Sequence, residues 1–282
     1  MNSTMNIAPP IPISIVVPAW NEEQTIGEVL LSIRGMTDDL VVVDGHSTDR
    51  TVEIALAYDA RVVQENARGK GNAVRIGLTA VRHPITVFID ADGSHEPADI
   101  PRLVAPIRVG EADLVIGSRM AGSESQMPKS RRLGNLFFAR LVSLIGNHRI
   151  SDSASGMRII RRDVLPRLYP LPDGLNFTPV MSTRAIHEEL RMIEVPIPYA
   201  ERLGRSKLTI VGDGTRFLQS IVWTAFQYNP VRVLGSFGIA LVAMAFLIGL
   251  ALLLLRLQGI TELGTWGTFA VFAAQVLAVS AI

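Results

Sequence analysis

Between Val233 and Leu255 the chain runs for 23 residues without a charge, rich in Leu, Ala, Ile and Val. As a helix at 1.5 Å per residue this run extends roughly 34 Å, against a bilayer hydrocarbon core of about 30 Å. It predicts a transmembrane helix, since a core helix of that character needs more surrounding protein than the flanking sequence supplies. After a polar break at Gln258 to Thr265, the stretch Trp266 to Ile282 is apolar again, and the expectation is a second span that is either the second half of a helical hairpin or a helix whose sequence is cut short. The charges confirm the partition. From Val231 to Ile282 only Arg232, Arg256 and Glu262 are charged, whereas the first 230 residues hold 25 basic and 25 acidic side chains. The mean hydropathy of +0.31 excludes a disordered chain. The absence of Cys excludes a disulfide scaffold and thiolate zinc sites, and the net charge of +1 offers nothing toward nucleic acid.

Met1 to Pro12 carries no charge and leads directly into a β-branched run, so it does not read as a secretory signal. The polar part is therefore expected on the cytoplasmic side, with Arg202, Arg205, Lys207, Arg216 and Arg232 following the positive-inside rule, although Arg256 at the far end of the span runs against it. Between Lys207 and Pro230, apolar and polar residues mix, and Trp223 and Tyr228 suit headgroup depth; one or two interfacial helices are expected. The expected domains are residues 1–206 as the polar catalytic part, 207–230 as juxtamembrane helices, and 231–282 as the membrane region.

Within the polar part, Ile13 to Val17, Leu40 to Val43, Arg61 to Gln64, Ile85 to Ile89 and Leu114 to Ile116 are short apolar runs. Each is followed by Gly, Asp, Asn or Ser and then by helix-like sequence. That rhythm predicts βαβ units and a mostly parallel α/β sheet flanked by helices. Ligands of such sheets bind beyond the carboxyl ends of the strands, which is where the polar motifs fall.

The first strand ends in Pro18-Ala19-Trp20-Asn21-Glu22-Glu23-Gln24, where Asn21 and Gln24 have the spacing of a helix N-cap and its capping-box partner. The second ends in Asp44-Gly45-His46-Ser47-Thr48-Asp49. Ser47 or Thr48 there suits a helix cap, and Asp44 suits a base edge or ribose. After the third strand, Asn66-Ala67-Arg68-Gly69-Lys70-Gly71-Asn72 lacks the GxxxxGK[ST] order of a Walker loop. Its backbone and Lys70 can still meet a phosphate at a helix N-terminus. The fourth strand ends in Asp90-Ala91-Asp92-Gly93-Ser94-His95, a DxD pair whose mutual repulsion a hard divalent cation relieves. His95 fits either a further ligand or, preferably, a solvated turn. No acidic residue occurs from Ser125 to Ser151, a stretch holding Lys129, Arg131, Arg132, Arg140 and Arg149. Such a patch attracts anionic headgroups, and with Arg119 and Arg202 its guanidinium groups suit phosphate oxygens.

Taken in order, Val17-Pro18-x-x-Asn21-Glu22, Asp44-Gly45-x-Ser47-Thr48-Asp49, Arg68-Gly69-Lys70-Gly71, Asp90-x-Asp92-Gly93, Gly117-Ser118-Arg119, Asp152-x-x-Ser155-Gly156-x-Arg158 and Arg202-x-Gly204-x-Ser206-Lys207 resemble the family 2 glycosyltransferases of GT-A fold. The similarity is specifically to the polyprenyl-phosphate hexose synthases, meaning dolichyl-phosphate mannose and glucose synthases and their bacterial relatives. The resemblance covers roughly Ile13 to Lys207. It implies a nucleotide-sugar pocket lined by Pro18, Glu22, Asp44 and Lys70, with Asp90 and Asp92 holding Mg2+ or Mn2+ on the diphosphate. It also implies a lipid acceptor whose phosphate is bound by Arg119, Arg131 and Arg202. A lipid phosphate is already largely a dianion at neutral pH, so the implied inverting transfer needs charge relief and no general base. The loop from Asn66 to Arg75 looks more like that of the glucosyltransferases, which favours UDP-glucose over GDP-mannose. Asp152 to Arg158, Asn176 and Glu194 receive no assigned role. Two departures stand out: Val43 replaces an Asp common in the wider superfamily, and no Gln-x-x-Arg-Trp occurs, which counts against a processive synthase. Transfer to a glycan or soluble acceptor, and an inactive nucleotide-binding scaffold, are the competing expectations.

Overall fold

A computed structural model of the chain describes residues 12–67, 69–120, 127–146, 148–200, 210–258 and 267. It divides into two compact units, Met1–Thr224 and Ala225–Ile282. The first is built on seven strands: β1 (Ile13–Ala19), β2 (Asp39–Asp44), β3 (Arg61–Gln64), β4 (Ile85–Phe88), β5 (Leu114–Ser118), β6 (Arg158–Arg161) and β7 (Met192–Pro196). Between and after them run α1 (Ile26–Ile33), α2 (Thr51–Ala57), α3 (Lys70–Ala80), α4 (Ile100–Arg108), α5 (Lys129–Gly146), α6 (Leu165–Leu168), α7 (Phe177–His187), α8 (Ile210–Tyr228) and α9 (Pro230–Leu257).

The strands form one sheet in the order β3-β2-β1-β4-β6-β5-β7. Every pairing is parallel except those of β6, which runs antiparallel to both β4 and β5. All six residues of β2 are buried, as expected of a strand covered on both faces. Ile15, Val17, Val42 and Val87 pack with Ile26, Leu30 and Ile33 of α1 and Leu103, Val104 and Ile107 of α4 on one face. On the other face α3 lies so close that a Cβ on Gly77 would stand 2.4 Å from Val16 Cγ1, so only glycine permits this approach. Asp113 anchors the far end of the sheet. It accepts hydrogen bonds from Arg191 Nε (3.0 Å) and Nη2 (2.7 Å) and from Arg161 Nη1 (3.0 Å), joining the start of β5 to the end of β6 and the start of β7.

The five strands expected from the sequence are present with bounds that differ by at most two residues, β4 ending one residue short of the expected Ile89, and β6 and β7 are additions to them. The stretch before Pro230 forms one helix, α8, among the described residues. In the second unit, Pro230–Ala251 has a mean hydropathy of 2.4, which makes α9 long and apolar enough to cross a membrane. Its side chains are not those of a core helix, since Ile239 is 73% and Phe246 67% exposed. The expected second span, Trp266 to Ile282, lies outside the described residues apart from Gly267.

Candidate functional site

A cavity of about 680 Å³ opens at the carboxyl ends of the parallel strands, within the size range of small-molecule sites. Pro18, Glu22, Lys70, Asp90, Asp92, Arg119 and Arg131, seven of the residues singled out from the sequence, all line it. Asp44 is buried beside the lining residue Gly45, and its carboxylate accepts the Ser47 N–H at 3.2 and 3.3 Å. Arg202 and Arg68 lie outside the described residues.

The loops after β1 and β2 are laced together. Asn21, at φ 51°, donates its N–H to Ser47 Oγ (2.9 Å), and its Oδ1 accepts the Thr48 N–H (2.8 Å). Glu22 N–H binds Thr51 Oγ1 at 2.9 Å, and Glu23 N–H binds Asp49 Oδ2 at 3.1 Å. These contacts correct the capping expectation. Helix α1 begins at Ile26, after Thr25, with no side-chain cap, because Asn21 is committed to the neighbouring loop. Neither Ser47 nor Thr48 caps α2, whose first turn is bonded instead by Asp49 through the Thr51 N–H (3.0 Å) and hydroxyl (2.5 Å).

The glycines flanking Lys70 have a steric reason. Gly69 sits at φ 137°, in the region that side chains disfavour, and a Cβ on Gly71 would stand 2.0 Å from the Pro172 carbonyl oxygen. The loop at 172–174 thus lies directly on Gly69 and Gly71, and Lys70, at the start of α3, forms an ion pair with Asp90. Beneath the loop, Glu65 is buried and lines the cavity. Burial pushes its carboxyl up, against hydrogen bonds from the Asn72 amide and the Gly69 N–H.

At the end of β4, Asp90, Asp92 and His95 each offer a ligand atom, all within 4.8 Å of one another. Asp92 Oδ1 is held by the Ser94 N–H (3.1 Å) and hydroxyl (2.6 Å). Burial works to raise the Asp90 carboxyl, but the charges of Lys70, His95 and Arg119 prevail and hold it at about 2. His95 is 4% exposed, which overturns the solvated-turn expectation. Burial lowers its pKa, and its Nε2 is buried with no hydrogen-bond partner among the described residues. Two carboxylates and a buried imidazole, whose Nδ1 lies 4.0 Å from Asp90 Oδ2, suit a hard or borderline divalent cation. Gly156 stands against this cluster, since a Cβ there would lie 2.5 Å from Asp90 Oδ2.

Gly156 belongs to the segment leading into the antiparallel β6, and this segment also fixes Arg119. Asp152, fully buried, accepts Arg119 Nε (2.8 Å), Nη2 (2.9 Å) and N–H (3.0 Å) as well as the Asn135 amide (2.8 Å). Burial opposes its ionisation, yet Arg119 and Asn135 hold it at about 2. The Arg119 guanidinium also lies 5.5 Å from the ring centre of Tyr199, a cation–π contact. Glu194 of β7 accepts the N–H groups of Ser151 (2.7 Å) and Asp152 (2.8 Å). Buried Arg158 donates to the carbonyls of Ser153 (2.8 Å) and Ser155 (2.9 Å), and burial lowers its pKa to about 10. Asn176 donates to Ser220 Oγ at 2.6 Å and so ties α7 to α8. Glu65, Tyr199 and the α8 residues Asp213 and Arg216 also line the cavity and carry no local motif that marks them in advance.

Comparisons with known proteins agree with this geometry. The family model described as glycosyl transferase family 2 matches residues 14–168, and a model described as a domain of unknown function matches residues 230–282. A dolichyl-phosphate hexose transferase of Haloferax volcanii is 35% identical over 213 residues, covering 74% of this chain and 92% of that protein. An undecaprenyl-phosphate 4-deoxy-4-formamido-L-arabinose transferase of Klebsiella pneumoniae is 25% identical over 288 residues, 97% of this chain and 85% of the relative. Among solved structures, glucosyl-3-phosphoglycerate synthase of Mycobacterium tuberculosis, in complex with Mn2+, UDP-glucose and phosphoglyceric acid, superposes with a TM-score of 0.66 at 26% identity, over 76% of this chain and 80% of its own. The fold is accordingly α/β of GT-A type, and the chain belongs to glycosyl transferase family 2.

Proposed function

We propose that the protein transfers a hexose from a nucleotide sugar to a polyprenyl phosphate at a membrane surface, with inversion at the anomeric carbon. The observation that carries this reading is one cavity holding both an acidic cluster with a lysine, at Asp90, Asp92 and Lys70, and guanidinium groups, at Arg119 and Arg131. The activities for which the Haloferax and Klebsiella relatives are named, transfer to dolichyl and undecaprenyl phosphate, support the acceptor. In this reading Pro18, Glu22 and Lys70, with Asp44 beside them, take the donor. Asp90 and Asp92, with His95 completing the set, would hold Mg2+ or Mn2+, which when bound neutralises charge on the diphosphate leaving group. Lys70 adds a second positive charge there. Arg119, Arg131 and Arg202 offset the repulsion between two approaching anions, and the acceptor phosphate attacks the anomeric carbon as the sugar–diphosphate bond breaks.

Arg119 performs this from a fixed position, because Asp152 takes three of its donors and leaves Nη1 and the second Nη2 hydrogen for ligand. UDP-glucose is the favoured donor, supported by its presence in the mycobacterial structure and by the glycine-rich loop. The domain reading stays as residues 1–206 catalytic, 207–230 juxtamembrane and 231–282 membrane-embedded, with the catalytic part facing the cytoplasm. A soluble phosphorylated acceptor is the second reading, favoured by the phosphoglyceric acid in the same mycobacterial complex.

The test incubates membranes containing the full chain with polyprenyl phosphate, Mg2+ or Mn2+, and labelled UDP-glucose or GDP-mannose. Label in the organic phase from one donor, lost in Asp92→Ala, is the expected result. Label confined to the aqueous phase when phosphoglyceric acid is supplied would replace the lipid reading with the second one.

A further inference from the structure

Helix α5 buries Asn135, Ala139, Val142 and Ile145 on its inward face and contributes Arg131 and Phe138 to the cavity. Its outward face is apolar as well. Leu133 is 70%, Phe137 55% and Leu144 73% exposed. At about 100° per residue, Leu133, Phe137, Arg140 and Leu144 fall within about 60° of one another and form a single stripe. Lys129 and Arg132 lie along one side of this stripe, and they and Arg140 are all exposed. None of these three enters an ion pair among the described residues. No acid occurs between Ser125 and Ser151 to balance them. Scattered exposed leucines are ordinary, but three large apolar side chains aligned on one stripe, with cations and no acid beside them on the helix, are not.

The geometry points to this face of α5 as a docking surface for an anionic phospholipid bilayer, additional to the helix that crosses the membrane. Charge decides the occupant: an apolar stripe with unneutralised cations and no anions fits acyl chains below a negative headgroup layer. A second copy of the same face would bring three like-charged cations toward three more with no acid between them. Docked in this way, the lipid plane and the cavity wall lie on opposite sides of one helix, roughly 10 Å apart. A polyprenyl phosphate would then leave the plane by about that distance to meet Arg131, while its chain stays among the lipids.

The chain has no cysteine, so single cysteines can be placed and labelled with an environment-sensitive fluorophore in the full-length protein. Leu144→Cys reports on α5, Leu56→Cys on α2 serves as the water-exposed control, and Phe246→Cys on α9 reports on the membrane-spanning reading. The three are compared in nanodiscs of phosphatidylcholine with or without phosphatidylglycerol, carrying doxyl-labelled lipid. The expected result is a blue-shifted label at position 144, quenched at least twofold more than at position 56 in anionic discs and less in neutral ones. The double variant Arg132→Gln, Arg140→Gln is expected to reduce that quenching. A label at 144 as wet as at 56 overturns the proposal, as does a blue shift without doxyl quenching, which would mean that protein covers the face. Equal quenching in both lipids overturns the anionic selectivity. The proposal rests on the membrane reading of α9, and lack of quenching at position 246 isolates the failure of that reading.

Discussion

Asp152→Asn keeps the shape of a side chain that is fully buried and removes only its charge. The carboxylate accepts hydrogen bonds from the Arg119 backbone, two Arg119 side-chain nitrogens, the Asn135 amide and the Ala154 N–H (3.2 Å). Its pKa is held at about 2 rather than 3.8, and a difference of that size corresponds to about 2–3 kcal/mol of preference for the charged form in the folded state. Breaking a buried ion pair by removing one partner costs about 3–5 kcal/mol. Asparagine retains one acceptor oxygen, so the loss is expected near the overlap of the two figures, about 3 kcal/mol. For a unit of this size that lowers the melting temperature by about 6–12 °C. The sign with pH follows from a depressed carboxyl: its contribution is complete above the ordinary value and is lost as pH falls through about 2. Near-UV circular dichroism melts of the full chain in detergent, at pH 7 and at steps down to pH 2, therefore show a gap that closes on acidification. A drop of under about 2 °C at pH 7, or a gap that stays constant to pH 2, would refute the assignment of Asp152 as the charged anchor of Arg119.

Gly156→Ala places a Cβ 2.5 and 2.8 Å from the two carboxylate oxygens of Asp90, which must then move. A displacement approaching 1 Å is expected to lower turnover about 100-fold and to raise the Mn2+ concentration needed for half-maximal activity, with a smaller melting shift than Asp152→Asn. Wild-type activation by Mn2+ in the variant would show that Asp90 is not positioned from this side. At the opposite end of the sheet, hydrogen bonds from Arg191, against the opposing effect of burial, keep the Asp113 carboxyl at about 2. Asp113→Asn is expected to cost about 1–2 kcal/mol at neutral pH, read by urea unfolding. This cost disappears as pH falls from about 4 toward 2 and leaves KM unchanged.

Four of the five strands read from the sequence are almost wholly buried, where parallel pairing leaves continuous runs such as the Leu40 to Val43 segment of β2, and the fifth, β3, is a half-buried edge strand. β6 escaped because it is only Arg-Ile-Ile-Arg, and its first residue is a buried arginine bonded to the carbonyls of its own lead-in loop. β7 escaped because Glu194 interrupts it, and that carboxylate is spent on the Ser151 and Asp152 amides, contacts more than 40 residues distant in sequence. Asn21 has the spacing of a cap, and only its partner loop reveals that it serves β2 instead. His95 looks like any polar turn residue until Tyr199, a hundred residues later, packs edge-on at 6.4 Å. Motifs on one strand end were legible one by one. What joined them was the reversed direction of β6, which periodicity does not encode.

The same reversal divides the sheet. β3, β2, β1 and β4 are complete by Phe88, whereas both neighbours of β5 follow it in the chain, so the sheet consists of two groups stitched by four residue pairs between β4 and β6. Asp90 follows the last strand of one group, and Asp152 and Gly156 lead into β6, the strand by which the other joins it. A nascent chain that ends before Ser151 therefore holds Lys70 and Asp90 without the Gly156 backbone that stands against Asp90 and without the Asp152 carboxylate that fixes Arg119, and chemistry waits until the second group has zipped on. Turnover becomes a gauge of that stitching: weakening the β4–β6 seam should extinguish activity while most helices and both half-sheets still stand.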